Sequence, residues 1–490
     1  MKKIALVGAL VAALVATGMP AADAAASDSP TWGPCPATAN GSPLDPRQRC
    51  ATLAVPLDYR DPGGPRISLS ISRIRSAQPR SRRGVLLLIP GGPGGSGLNL
   101  PSADAAKLPA SVLDSYDLVG FDPRGVGRSS PVSCDLPAAD LDVLPWPDAD
   151  GGIAANVTAA KEVADACLNR GGPVLRSIGS ITEARDIDRI RQALGENKIS
   201  YWGVSYGTYV GAVYATLFAS HTGQVVLDSN DDPDPRLLER RWLANYSIGV
   251  EDRFPDFAAW ASAAGNPYRI AGTPAEVRDT FLALAARLDR RPLPWSGAKP
   301  PVLNGNTLRE ILLGALYSDS RFPRLAAVMR AALDGTPLPA ASAPPEQAVQ
   351  NTDAVAVGTL CGDVAWPDSI DGYAAKVAAN RASYPLTAGM PVNIGPCAFW
   401  PAAPAEPAVR ISDRGPRNVL LVQNLRDPAT PYSGALNLRR AFGDRAVMIT
   451  VDSGGHEAYL ANGNRCGDNA VTDFLVTGQR PRADVYCPAG

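Results

Sequence analysis

The stretch "KISYWGVSYGTYVGAVYATLF", residues 198–218, reads as an apolar strand, a sharp turn at Ser205 and a helix. Gly203, Val204, Ser205, Tyr206 and Gly207 fit G-x-S-x-G, the pattern that lifts a serine hydroxyl above the edge of a sheet. A tight strand-to-helix turn that merely needs small residues has the same pattern, so the surrounding sequence has to decide. Just upstream, "SITEARDIDRIRQALG" (180–195) places Ala184, Ile187, Ile190 and Leu194 on one helical face, with Ser180 and Glu183 spaced as a capping box and Gly195 set to end the helix. That helix feeds a strand over Ile199–Val204, so the serine turn stands in a strand–helix–strand frame.

Further out, "GVLLLIPGG" (84–92), "YDLVGFDPRG" (116–125), "GQVVLDSN" (223–230) and "NVLLVQN" (418–424) are short apolar runs ended by turn residues, as buried parallel strands are. Their alternation with amphipathic stretches predicts the α/β class, a mostly parallel sheet flanked by helices. From 236 to 407 the character changes. "TPAEVRDTFLALAARLD", "NTLREILLGALY" and "PRLAAVMRAALDG" predict helices, while "GTPLPAASAPPEQ" and "FWPAAPAEPA" interrupt or end the region. The expected organisation is a core over 27–235 and 408–490, interrupted by a mainly helical cap over 236–407. No repeat of solenoid or propeller period is present.

The chain has 490 residues, 45% apolar and 19% charged, with 47 Lys plus Arg against 48 Asp plus Glu. That balance leaves no positive surplus for nucleic acid or an anionic membrane surface. Lys2 and Lys3, an apolar run from Ile4 to Thr17, and small residues around Ala22, Asp23 and Ala24 have the layout of a secretory signal over 1–26, cleaved after Ala24 or Ala26. A retained anchor is the alternative, but the run is shorter than the about 20 residues that span a bilayer. The mature protein is expected to be exported and monomeric, without a membrane span, either secreted freely or associated with the cell wall. Eight cysteines suit an oxidising compartment, and their grouping predicts that neighbours pair in order: Cys35 with Cys50, Cys134 with Cys167, Cys361 with Cys397, Cys466 with Cys487. Neither a metal nor a cofactor is expected, since there is no C-x-x-C and the chain has only two histidines.

A serine nucleophile needs a base, and histidine is the usual one near neutral pH. His221 falls toward the far end of the helix that starts at Ser205, roughly 24 Å away at 1.5 Å per residue, and reads as a helix C-terminal residue instead. His456, in "VMITVDSGGHEAY", stands on the loop after a strand, where an open α/β sheet builds its site. Asp427, in "NVLLVQNLRDPATP", is the carboxylate that would hold the imidazole, although an Asp before Pro is also common turn chemistry. The order Ser205, Asp427, His456 is that of α/β-hydrolases. For an oxyanion hole, Tyr206 supplies one backbone N–H, and the glycine-rich "LLLIPGGPGGSG" supplies the other from Gly92, with Gly91 close behind. A phosphate loop would need a Gly-Lys-Ser/Thr ending, which is absent.

With "PGGPGGSG", "DPRGVGRSS", "GVSYGT", "RDPATP" and "GGHEAY" in this order, the chain resembles the prolyl and tripeptidyl aminopeptidase branch of the α/β-hydrolases, above all the secreted tripeptidyl aminopeptidases of actinobacteria. "CATLAVPLDYRDP" and "LCGDVAWP" extend the resemblance over nearly the whole mature chain. It implies Ser205 as nucleophile, Asp427 as orienting acid and His456 as base, with peptide substrates from which short pieces are released at a free N-terminus. Prolyl aminopeptidases usually carry His where this chain has Pro90, so proline specificity is not carried over.

Reading a free N-terminus requires carboxylates near the cleft, because a buried charge-assisted hydrogen bond to ammonium is worth about 1.5–3 kcal/mol. "VVLDSNDDPDP" offers Asp228, Asp231 and Asp232, and "LCGDVAW" offers Asp363; Asp228 and Asp363 are the expected amine ligands, though acidic loops are often simply solvated. Asp122, Arg124 and Gly125 are assigned to shaping the loop beside the oxyanion turn. A carboxylesterase or lipase-like hydrolase of the same fold, and a non-catalytic surface binding protein, are the rival readings.

Overall fold

The polar groups of a fully apolar strand must all be met inside a sheet, and the four runs singled out above do lie in one sheet, as two adjacent pairs with the strand before Ser205 between them. The computed structural model describes residues 29–38, 41–341, 345–401 and 404–490; the expected export signal, 1–26, lies outside them. Nine strands are named here: β1 (Arg49–Pro56), β2 (Arg66–Ile74), β3 (Gly84–Ile89), β4 (Tyr116–Phe121), β5 (Ile199–Val204), β6 (Thr222–Asp228), β7 (Val419–Arg426), β8 (Ala446–Gly454) and β9 (Val485–Cys487). With Gly33–Pro34 at one edge they form one sheet of order β1-β2-β4-β3-β5-β6-β7-β8-β9. The β1–β2 and β2–β4 pairs are antiparallel; all pairs from β4 through β3 to β9 are parallel. β3 and β4 are buried along their whole length, as expected of strands covered on both faces.

Helices α1 (Ser180–Ala193) and α2 (Tyr206–Leu217) flank β5. Ala184, Ile187 and Ile190 of α1 pack against Tyr209, Val213 and Tyr214 of α2 in the core on one side of the sheet. The predicted capping box does not form. Gly179 is the N-cap, Ser180 is already helical, and its N–H is met by the Asp363 carboxylate at 3.0 Å. Ser180 and Glu183 are drawn into a buried polar cluster, which outweighs their local capping preference.

Between β6 and β7 the chain leaves the sheet and makes α3 (Leu238–Ser262), α4 (Pro274–Arg290), α5 (Gly305–Leu316), α6 (Phe322–Asp334), α7 (Glu346–Asp363) and α8 (Ile370–Ser383). α4 opens with a true capping box between Thr273 and Glu276 and buries Val277, Phe281, Leu284 and Leu288, one stripe of an amphipathic helix. Phe254, Phe257, Phe281 and Phe322 give α3, α4 and α6 a core separate from that of the sheet. α9 (Tyr432–Phe442) and α10 (Arg465–Thr477) follow β7 and β8.

The four disulfides join Cys35–Cys50, Cys134–Cys167, Cys361–Cys397 and Cys466–Cys487, with Cα–Cα distances between 4.3 and 5.6 Å. Among the described residues no helix is long and apolar enough to cross a membrane.

Candidate active site

Ser205 closes β5 with φ +56° and ψ −127°, a conformation costly for a residue with a side chain, by about 1–3 kcal/mol. Close backbone packing holds it there. A Cβ on Gly203 would sit 2.4 Å from the Gly207 carbonyl oxygen, and one on Gly207 would sit 2.6 Å from that of Ile89, so both flanking glycines are required by space. The turn is fastened from β6: the Ser205 N–H donates to the Asp228 carbonyl at 3.0 Å, and Thr208 Oγ1 donates to the Ser205 carbonyl at 2.6 Å.

The glycine loop after β3 runs alongside. A Cβ on Gly91 would lie 3.6 Å from Ser205 Oγ, and Gly92 has φ +129°, outside the range of ordinary side-chain-bearing residues. The N–H groups of Tyr206, Gly92 and Gly91 have no acceptor among the described residues, so they are available to a developing oxyanion.

Asp427 follows β7 directly and is fully buried. One of its oxygens accepts from the Ala429 and Thr430 N–H groups and the other from Thr430 Oγ1, each at 2.9 Å, and both lie 3.0 Å from His456 Nδ1. Burial works against the charge of Asp427, but the His456 charge and these donors together hold its carboxyl below the usual range. His456 follows β8. Burial lowers its basicity, yet Asp427 foremost among the nearby carboxylates raises the imidazole to about 8. The His456 N–H donates to the Tyr317 carbonyl at 2.9 Å, and the two rings meet edge to face at 5.0 Å. With Nδ1 fixed by a carboxylate, Nε2 is the nitrogen free to exchange a proton. Ser205, Asp427 and His456 thus end three strands, β5, β7 and β8, of one sheet, while His221 lies at the opposite end of β6, with Nδ1 2.9 Å from the Asn197 carbonyl oxygen.

The acidic residues fall in three places. Asp228, buried at the end of β6, accepts the N–H groups of Ala458 and Tyr459 at 2.8 and 2.9 Å; it holds the histidine loop, and both oxygens are occupied, contrary to the expected role as an amine ligand. Asp232 takes Asn437 Nδ2 at 2.6 Å. Asp231 is buried, and burial pushes its carboxyl up to about 8 against the pull of His456.

Asp363 ends α7 inside a cluster with Ser180, Tyr206, Glu183 and Glu239. Ser180 Oγ donates to Asp363 at 2.5 Å and lies 3.1 Å from the Tyr206 hydroxyl, which donates to Glu183 at 3.1 Å. Burial raises Glu183 to about 8 and raises Asp363 as well. Glu239, in the first turn of α3, is fully buried, and its carboxyl meets that of Asp363 with no cation on either oxygen among the described residues; burial foremost, then the Asp363 charge, raises it well above the usual range. Glu239 was not anticipated. Its signal in the sequence is "RLLERRWLANY", where Glu239, Trp242 and Tyr246 share a helical face on which a lone carboxylate is out of place.

Among the described residues no group of three or more His, Cys, Asp or Glu side chains is arranged to hold a metal ion.

A family profile described as alpha/beta hydrolase fold matches residues 84–264, and one described as TAP-like protein matches 384–487. A tripeptidyl aminopeptidase of Streptomyces lividans is 35% identical over 93% of this chain and 86% of its own length. The serine protease Hip1 of Mycobacterium tuberculosis is 29% identical over 93% of this chain and 90% of its own. Carboxylesterase B of the same species is 30% identical, covering 90% and 86%.

Proposed function

The chain belongs to the tripeptidyl aminopeptidase-like family of α/β-hydrolases, and from that premise we propose that it is an exported serine aminopeptidase that releases short peptides, tripeptides among them, from free N-termini. Ser205 Oγ attacks the scissile carbonyl carbon while His456 Nε2 takes its proton. Asp427 holds the imidazole and stabilises its charged form. The oxyanion is received by the N–H groups of Tyr206 and Gly92. The tetrahedral species collapses as His456 returns the proton to the departing amine. Water, deprotonated by the same histidine, then frees the N-terminal peptide from Ser205.

In this reading 236–407 is a cap that counts residues from the N-terminus, over a core of 27–235 and 408–490. The observation that carries aminopeptidase over esterase is Glu239: a buried carboxyl with no cationic partner among the described residues, paired carboxyl to carboxyl with Asp363 and within the field of Asp231, which is itself within the field of His456. An arriving ammonium supplies the positive charge that burial withholds, so binding ionises the cluster it binds to. Glu239 and Asp363 are the proposed amine ligands, with Asp231 between them and the reacting carbonyl.

The similarity to a carboxylesterase keeps the ester reading open. Rates on a free-amine tripeptide anilide, its N-acetylated form and a short acyl ester separate the two. A peptidase that reads the amine prefers the free form at least about tenfold; equal turnover of the free and acetylated peptides contradicts it. A fluorophosphonate that labels the parent protein and not Ser205→Ala excludes a non-catalytic binder.

A further inference from the structure

Behind α3, away from the catalytic strands, lies a cavity of about 470 Å³ between α3, α8 and the segment 390–397. At 3.6 residues per turn, Glu239, Trp242 and Tyr246 share one face of α3, and Leu237, Arg240, Arg241, Ala244 and Ile248 share the opposite one. The first face packs on Tyr206, Tyr209 and Tyr317; the second lines the cavity, whose wall contains none of Ser205, Asp427 or His456.

The wall is mostly apolar, with Leu243, Leu360, Trp366, Met390 and Val392 among its residues. Its charged residues are Arg240, Arg241 and Lys376, and among the described residues lining it there is no carboxylate. Three polar atoms of residues that line this wall are buried without a hydrogen-bond partner among the described residues: Nε of Arg240, Nε of Arg241 and Oδ1 of Asn380. Arg241 reaches Asp232 and Asp234 only at 3.8 and 3.9 Å, Arg240 donates from its terminal nitrogen to the Arg236 carbonyl, and Asn380 Nδ2 donates to Ser247 Oγ at 2.9 Å. Two cationic donors and one amide acceptor in an apolar chamber call for a ligand with an anionic acceptor, a donor and apolar side chains.

We propose that this cavity binds a short apolar peptide through its C-terminal carboxylate, at Arg240 and Arg241, with a peptide N–H donating to Asn380 Oδ1. Such a peptide is what hydrolysis of the acyl-enzyme on the other side of α3 releases, and to that extent the assignment of the ligand rests on the exopeptidase reading. The chemistry of the wall itself does not.

The test is a titration of the full protein with N-acetyl-Leu-Leu bearing a free carboxylate and with its C-terminal amide, followed by calorimetry and by the fluorescence of Trp366 in the cavity wall. Both are repeated after fluorophosphonate has blocked Ser205. The acid is expected to bind one site equally in open and blocked protein, at least about tenfold more tightly than the amide. Arg240→Gln with Arg241→Gln removes that preference, and Glu239→Gln does not. Equal affinity for acid and amide, loss of binding on blocking Ser205, or no saturable binding of the acid overturns the proposal. The acid-versus-amide comparison needs no variant. The acetyl group keeps the probe off an amine site, so a failure of the exopeptidase reading would appear in the anilide rates and leave this titration unchanged.

Discussion

On one side of α3, Glu239 turns toward Asp363 and the hydroxyl of Tyr206, where burial keeps carboxylates short of positive partners; on the other, the next residue, Arg240, turns into an apolar chamber whose charged wall residues are all cations. About 100° of rotation separates neighbouring side chains on a helix, enough to place them in different compartments. In the first turns of α3 charge is sorted by helix face: Glu239 looks inward, where a substrate would present its ammonium, and Arg240 and Arg241 look outward, where a carboxylate would rest. Further along α3, Arg253 returns a guanidinium to the inner face against the histidine loop, held there by Asp256 and Asp319.

The largest expected effect breaks the chemistry beneath that sorting. Ser205→Ala or His456→Ala should lower kcat on a tripeptide anilide by about 10⁴-fold or more, read by stopped-flow release of the chromophore, with far-UV circular dichroism unchanged. Next, Glu239→Gln should lower kcat/KM for the free-amine substrate by about 10- to 100-fold, the equivalent of one buried charge-assisted hydrogen bond, and leave the acetylated substrate where it was. An equal loss on both substrates would put Glu239 in the structural framework and dissolve the contrast between the faces.

The pH dependence is smaller and separates the two sides further. His456 must be neutral to accept the serine proton, and its raised pKa of about 8 means that kcat/KM should fall about tenfold per unit as pH drops below that value. A profile flat down to pH about 6.5, the ordinary histidine value, would show that Asp427 does not exert the expected field. The smallest effect concerns the link between the compartments. Cys361 lies two residues before Asp363, and Cys397 lines the cavity. Replacing both with Ser should lower stability by about 3–4 kcal/mol, measured by thermal unfolding, while changing turnover less than Glu239→Gln does.

Much of this was legible in the sequence where a local pattern and a tertiary need coincide. The apolar runs at 84–92, 116–125, 223–230 and 418–424 had to be buried strands, and His456 and Asp427 stand directly after strands because loops at their carboxyl ends face the site. The capping box at Ser180 and Glu183 misled because a carboxylate distant in sequence, Asp363, arrived to take the helix terminus. Asp228 misled in the opposite direction: a carboxylate at a strand end looks like a ligand, but its oxygens are consumed by the amides of Ala458 and Tyr459. α3 and α7 were not delimited in advance, since each carries polar residues among its buried ones and so blurs the helical stripe, and α8 buries only Tyr373 and Val377, too few to make one. The shared face of Glu239, Trp242 and Tyr246 is visible in the sequence spacing, and the partners of Trp242 and Tyr246 turn that face inward.

The central claim is that the carboxylates on the inner face of α3 read the substrate's amine for a serine nucleophile. The most direct test is the ratio of kcat/KM for a free tripeptide anilide to that for its N-acetylated form, measured in the parent protein and in Glu239→Gln. The account predicts a ratio of at least about ten in the parent that falls toward one in the variant. A ratio near one in the parent, or one that Glu239→Gln leaves unchanged, contradicts it.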